Sequence, residues 1–157
     1  MSARKTDGRE LQRRIRAVVQ ADAKSLEAVR GMVRGFAQSW GLSPDRVDGI
    51  VLAVNEACCN AIRHSYGSDS SRSFVLAMGA TDRHLEFELR DTGKPAPREK
   101  VAPLKSKRPS QKDIRPGGLG VQLIYRVFDE AVFEPGRRRG NRVVMRAKLT
   151  RRKQAAG

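Results

Sequence analysis

The chain has 157 residues, enough for one domain with a hydrophobic core, and its 32 Lys and Arg against 17 Asp and Glu give a formal net charge of +15. No apolar run is long enough to span a bilayer, and no apolar segment follows the basic N-terminus, so neither a membrane span nor a secretory signal is expected. The charge indicates acidic partners. Aromatic residues are scarce, at 5%, and do not interleave with the basic clusters, so dedicated nucleic-acid binding is not expected.

The two cysteines predict the redox compartment. Cys58 and Cys59 are adjacent in an apolar helical pattern. Neighbouring side chains on a helix point about 100° apart, so a disulfide between them is not expected. A reduced, cytoplasmic location is the corresponding expectation.

The first elements follow a basic start. Residues 1–13 are expected to be a flexible N-terminus, 14–150 the domain, and 151–157 a basic C-terminal tail. A short strand is predicted over 14–19. A helix over 25–40, with Ser25 as its N-cap, is predicted from apolar residues at helical spacing: Leu26, Val29, Met32, Val33 and Phe36.

The remaining pattern predicts the architecture. Gly41 ends the first helix, and a second, with Pro44 near its start, is predicted over 45–65. Strands at 73–78 and 84–90 form a hairpin, a long loop rich in Pro, Lys and Arg follows, and a helix at 118–129 precedes strands at 131–134 and 142–149. This order predicts an α+β two-layer sandwich, a mixed but mainly antiparallel sheet with helices on one face.

Two polar side chains on the second predicted helix are the first candidates for chemistry. Glu56 and Asn60 are four residues apart, so they share a face opposite the apolar stripe. Leu52 and Ala53 also fall near this face, which predicts that the helix is covered on both sides and that its polar stripe lines a cleft. A carboxylate can act as a base and a carboxamide oxygen can bind Mg²⁺. Taken alone, the pattern also fits a solvated helix face.

The triplet Asp91-Thr92-Gly93 directly follows a predicted strand. An Asp there can place its carboxylate at the floor of a pocket and accept a hydrogen bond from an adenine amine, while Gly lets a ligand approach the backbone. An Asx-type turn is the simpler interpretation of the triplet alone. Aspartic proteases share the triplet, but the flanking Arg90 and Lys94 and the helical half of the chain exclude that class.

A glycine-rich junction opens the third predicted helix at Gly118-Leu119-Gly120. Closely spaced glycines before a helix allow backbone N–H groups to face a phosphate, and the helix dipole adds attraction. The junction lacks the Gly-Lys-Ser/Thr of a Walker A loop and does not follow a first strand as a Rossmann fingerprint does. By itself it also fits a flexible connection between a loop and a helix.

The order of the three motifs is more specific than any one of them. It resembles the ordered boxes of the histidine-kinase-like ATPases, the Bergerat-fold group. The strings LAVNEACCNAIRHSY, LGVQLIYRVFDE and GNRVVMRAKL look like the anti-sigma-factor serine kinase branch. The resemblance covers residues 14–149, nearly the whole domain.

The resemblance implies a role for each motif. Glu56 would be the general base for a substrate hydroxyl, and Asn60 would bind Mg²⁺ bridging the phosphates of ATP. Asp91 would accept a hydrogen bond from the adenine amine, with Gly93 allowing close approach. The phosphates would lie at the backbone amides of Gly118, Leu119 and Gly120.

The loop at 94–117 corresponds by resemblance to a mobile lid. Its candidates for screening phosphate charge are Lys105, Lys107, Arg108 and Arg115. Pro95 stands where many members have a second glycine, a departure that stiffens the start of the lid. Arg63 and His64 continue the polar face of the second helix, and structural roles are expected for both.

The implied activity is that of a protein kinase. The chain would sequester a sigma factor and use ATP to phosphorylate a Ser or Thr of an anti-anti-sigma antagonist protein. The alternative is an ATP-binding partner-switching regulator that lacks kinase activity or has a non-sigma target. Members of this branch often form homodimers, and no membrane partner is expected.

Overall fold

One antiparallel sheet is the framework of the domain. The computed structural model describes residues 12–97 and 119–150. The strands in that part of the chain are β1 (Gln12–Gln20), β2 (Ser73–Ala80), β3 (His84–Asp91), β4 (Glu130–Pro135) and β5 (Asn141–Lys148). They pair in the order β1-β2-β3-β5-β4, and all four pairings are antiparallel.

The helices cover one face of this sheet. They are α1 (Ala23–Ser39), α2 (Pro44–Asn60), which continues into a π-helical turn (Ala61–Ser65), and α3 (Leu119–Val127). The predicted α+β sandwich with helices on one face is confirmed. The predicted cap of α1 is wrong: Asp22 is the N-cap, and its Oδ1 accepts a hydrogen bond of 2.8 Å from the Ser25 backbone N–H.

The core lies between the helices and the sheet. In β3 the alternation predicted from the sequence places Leu85, Phe87 and Leu89 toward the helices, all at most 1% exposed. The ring of Phe87 contacts Phe36 of α1 and Phe128 after α3, with centroids 5.9 and 5.8 Å apart. This packing holds α1 and α3 against the same strand.

The cysteines of α2 are both free. Cys58 is fully buried in this core, and burial raises the pKa of its thiol above the ordinary value. The buried thiol is therefore a packing group with little thiolate character.

The opposite face of the sheet carries paired charges. Arg142 donates to Glu88 at 2.8 Å and to Glu134 at 3.0 Å, and Arg146 pairs in the same way with Glu86 and Glu130. Glu86 and Glu88 are both buried. Such pairs satisfy carboxylates that lie under the long arginine side chains, which also cover the sheet.

The stability of this face is expected to fall in acid through Glu88. Burial favours its neutral form, but the hydrogen bonds from Arg90 and Arg142 outweigh burial and lower the pKa of this carboxyl below its ordinary value of 4.5. The stabilisation by the ionised Glu88 carboxylate is therefore complete at pH values above its ordinary pKa. It is lost as the pH falls through the lower pKa that Glu88 has in the folded state.

Replacing Glu88→Gln should lower the free energy of unfolding at neutral pH by about 1–3 kcal/mol and flatten its fall in acid. Urea unfolding at neutral and acid pH measures both effects. The matched control is Glu27→Gln on the exposed surface of α1. If the free energy of unfolding of Glu88→Gln fell in acid as steeply as that of wild type, the acid dependence would not come from Glu88.

Candidate functional site

Helix α2 carries the first two candidate residues, Glu56 and Asn60, near its C-terminal end. Its start is well capped, because Ser43 is the N-cap and Pro44 occupies the first turn. Its buried stripe includes Val54 and Cys58, and Glu56 projects from another side with 28% of its side chain exposed. The predicted polar face therefore exists.

The sequence predicted that Leu52 and Ala53 are both covered near the start of this face, and the prediction is correct only for Ala53. Ala53 is fully buried, but Leu52 is 55% exposed. The two differ by about 100° around the helix axis, which is enough to bury one and leave the other in solvent. The polar stripe of α2 is thus open at Leu52 and becomes enclosed only toward Glu56.

Glu56 is covered by the first turn of α3. A Cβ added to Gly120 would lie 3.0 Å from the Cγ, Cδ and Oε1 atoms of Glu56, so the glycine backbone packs directly on the carboxylate. The guanidinium of Arg63 approaches from the other side, with 3.7 Å between Nη2 and Oε1. Two motifs from distant parts of the sequence therefore meet at Glu56.

Asn60 is the last residue of α2 and is half-buried. No other described residue hydrogen-bonds its carboxamide, so the side-chain oxygen is free to bind a ligand. No three His, Cys, Asp or Glu side chains cluster in the described residues in a way that could hold a metal ion. A metal ion here would need most of its ligands from a bound molecule and water.

The predicted single helix over 45–65 is in fact two segments. The regular α-helix ends at Asn60, and Tyr66 N–H bonds to the Ala61 carbonyl at 3.1 Å across a π-helical turn. This wider turn carries Ser65 toward β3, where a regular helix would direct it elsewhere. Gly67, with φ of +56°, then reverses the chain.

Asp91 lies beyond that turn, at the end of β3, and is 7% exposed. Ser65 Oγ donates to its Oδ2 at 2.9 Å, and the Gly93 backbone N–H donates to its Oδ1 at 3.0 Å. The Asn141 amide donates to both oxygens, at 3.1 and 3.2 Å. The Asx-type turn considered for the triplet is thus present, and it coexists with a carboxylate held from three sides.

Gly93 is required by packing within the protein. A Cβ at this position would lie 2.2 Å from the Ser65 carbonyl oxygen, and that carbonyl accepts the Lys94 backbone N–H at 2.7 Å. Gly93 also accepts the Gly140 N–H, which ties the end of β3 to the start of β5. The close approach predicted at Gly93 is therefore made by the chain itself.

Part of the predicted site lies outside the described residues. This holds for Gly118, for residues 98–117 of the expected lid, and for its four cationic candidates Lys105, Lys107, Arg108 and Arg115. Leu119 begins α3. Pro95, the departure from the glycine pattern, lies within the described residues 94–97.

Sequence reasoning missed Ser65 and Asn141. Ser65 is the last residue of the helix predicted over 45–65, and Asn141 lies between the strands predicted at 131–134 and 142–149, but no role was predicted for either. The register of β3 and β5 pairs Asp91 with Asn141, and this long-range pairing has no local signal. Arg63 and His64 are both exposed, as their expected place on the helix face requires.

Membrane insertion finds no support in the helices of the described residues. None of them combines the length and the apolar character that a bilayer span demands.

Comparisons with known proteins agree with these motifs. The family model for the histidine kinase-like ATPase domain matches residues 19–147. Serine-protein kinase RsbW of Halalkalibacterium halodurans is 32% identical over 120 residues, which are 74% of this chain and 72% of that protein. The protein of the same name from Bacillus subtilis is 29% identical over 115 residues, 71% of this chain and 72% of that protein.

Solved structures share the fold. The RsbU and RsbW domains of Rv1364c from Mycobacterium tuberculosis align with a TM-score of 0.63 at 19% identity, over 88% of this chain and 33% of that one. The SiaB–SiaC complex from Pseudomonas aeruginosa aligns with a TM-score of 0.66 at 12% identity, over 84% of this chain and 88% of the other. These likenesses concern the fold alone.

Proposed function

Because the chain belongs to the family of histidine kinase-like ATPase domains, in the branch of the RsbW serine-protein kinases, we propose that it is an ATP-dependent protein kinase. The observation that carries this proposal is the contact of Gly120 with Glu56 at the end of a helix whose continuation reaches Asp91. Glu56 and Asn60 on this helix, the start of α3 and Asp91 would then serve as base, metal ligand, phosphate-binding turn and adenine acceptor.

The nucleotide would extend along α2. The Asp91 carboxylate would accept a hydrogen bond from the exocyclic amine of adenine, and the backbone amides at Leu119 and Gly120 would face the phosphates. The Asn60 oxygen would be the protein ligand of Mg²⁺, which commonly binds through few side chains and the phosphates of its substrate. The absence of a hydrogen bond from any other described residue to the Asn60 carboxamide supports this assignment.

Glu56 would act on the hydroxyl of a serine or threonine in the partner protein. Its carboxylate accepts the hydroxyl proton as the oxygen attacks the γ-phosphorus, and the bond from that phosphorus to the bridging oxygen breaks to release ADP. Asn60 would hold a Mg²⁺ ion, which when bound would supply neutralisation of charge on the phosphates. Positioning and charge neutralisation account for most of the catalysis of such a transfer, and rigid elements position Glu56.

The partners proposed are a sigma factor, which the chain would sequester, and an anti-anti-sigma protein, which it would phosphorylate. The net charge of +15 favours association with acidic surfaces. Transfer of label from γ-labelled ATP to a purified anti-anti-sigma protein tests the kinase activity. ATP binding without any transfer would contradict it and favour a regulator that uses ATP only as a ligand.

Asn60→Ala should weaken binding of MgATP by about tenfold or more, because a metal ligand is lost, and should affect metal-free ATP much less. Titration calorimetry with ATP in Mg²⁺ and in EDTA separates the two. The matched control is Asn55→Ala, since Asn55 is on the same helix but contacts Arg30 and Cys59. If Asn60→Ala lowered ATP affinity by the same factor in EDTA as in Mg²⁺, Asn60 would not act through the metal.

A further inference from the structure

Asn141 makes an unusual number of contacts for one side chain. Its amide nitrogen lies 3.1 and 3.2 Å from the Asp91 oxygens, 3.1 Å from Ser65 Oγ and 3.0 Å from the Lys94 carbonyl. Its amide oxygen accepts the Ala96 backbone N–H at 2.7 Å. One residue at the start of β5 thus joins the end of β3, the π-helical turn and the segment after Gly93.

The partners define the orientation of the Asn141 amide. The Ala96 N–H can only donate, and the Lys94 carbonyl can only accept. A flipped amide would direct its oxygen at the Lys94 carbonyl and at the Asp91 carboxylate, which are both acceptors. Asparagine supplies the required donor and acceptor on adjacent atoms, whereas aspartate of the same shape would supply acceptors alone.

Ser65 completes the arrangement from the other side. Its hydroxyl donates to Asp91 Oδ2 at 2.9 Å and accepts from the Asn141 amide. The π-helical turn that brings it there starts directly after Asn60. With Gly93 N–H on Oδ1, donors from three chain segments contact the two oxygens of the Asp91 carboxylate.

We propose that Asn141 and Ser65 are positioning residues that determine the base specificity of the site by holding Asp91 as a fixed acceptor for the amine of adenine. This inference rests on the proposed function and adds to it the residues that determine which nucleotide binds. Adenine offers a donor where guanine offers a carbonyl oxygen. A carboxylate that cannot turn away meets that oxygen as an unpaired acceptor, and buried sites discriminate strongly against such mismatches.

The test is nucleotide discrimination by Asn141→Asp. Affinities for MgATP, MgGTP and inorganic tripolyphosphate are measured by titration calorimetry or by competition with a fluorescent ATP analogue. In the variant a second carboxylate faces Asp91, so MgATP affinity should fall by about 10- to 100-fold. Tripolyphosphate, which has no base, should bind as to wild type, and the preference for ATP over GTP should shrink.

Ser65→Ala tests the same proposal without adding a charge. It removes one donor and leaves Asn141 in place, so a smaller loss of about 3- to 10-fold is expected, again for ATP more than for GTP. The matched controls are Asn55→Asp on α2 and Ser39→Ala on α1, where the Ser39 hydroxyl donates to the Phe36 carbonyl. Both controls should keep the wild-type preference.

The outcomes separate this inference from the proposed function. A wild-type protein that does not bind MgATP would overturn the proposed function, whereas one that binds ATP and GTP equally well would overturn the inference. A wild-type preference for ATP that survives in both Asn141→Asp and Ser65→Ala would overturn the inference alone. Parallel losses for ATP, GTP and tripolyphosphate would also overturn it, because they indicate a general structural role.

Discussion

Glu56→Gln is expected to reduce phosphoryl transfer to the partner protein by about 10²- to 10⁴-fold while MgATP binding remains. The amide has the size and shape of the carboxylate but cannot accept the proton of the attacking hydroxyl. It keeps the contact with Gly120, so the first turn of α3 stays in place. Single-turnover transfer of γ-labelled phosphate, with calorimetric binding of MgATP alongside, measures the two effects.

Two controls show whether the loss belongs to Glu56 itself. Glu27→Gln makes the same chemical change on the exposed surface of α1 and should leave the rate unchanged. Arg63→Gln removes the neighbouring guanidinium, which lies 3.7 Å from Glu56. If Arg63→Gln reproduced the full loss, the effect of Glu56→Gln would come from a displaced arginine and the assignment of Glu56 as base would be wrong.

Gly93→Ala is the second substitution with a large expected effect. The new methyl group would lie 2.2 Å from the Ser65 carbonyl oxygen and 2.8 Å from the Tyr66 ring, so backbone must move. A loss of about 1–3 kcal/mol or more in the free energy of unfolding is expected. Because the Ser65 backbone would move with its hydroxyl, MgATP affinity should fall as well.

Gly31→Ala is the matched control for this change. Gly31 is exposed within α1, and a Cβ there meets nothing within 4 Å, so alanine should stabilise the protein by about 0.5–1 kcal/mol through its helix propensity. Urea unfolding compares the two variants. A Gly93→Ala protein as stable as wild type would show that the segment at 93–96 adapts, and that glycine there is not required by packing.

The structure changes what the candidate motifs mean. Gly93 was predicted for the sake of a ligand, but the chain itself occupies the space beside it. Gly120 was predicted to be part of a phosphate-binding turn, and its backbone also packs against the Glu56 side chain. In both cases the pattern identified a position where a side chain is excluded, and only the packed neighbours show what excludes it.

The amino-acid sequence was enough to predict the secondary-structure elements and the residue types of the candidate site. Periodicity predicted the strands and helices to within a few residues, because hydrophobic spacing is a local property of each segment. Glu56 and Asn60 share a face for the same local reason, and the ordered motifs indicated the family.

The contacts that hold the candidate site together are visible only in the folded protein. The π-helical turn that directs Ser65 at Asp91, and the strand pairing that places Asn141 opposite Asp91, join segments 26 and 50 residues apart. Such contacts depend on the register of whole elements in three dimensions, so a serine at a helix end or an asparagine in a turn carries no local sign of them.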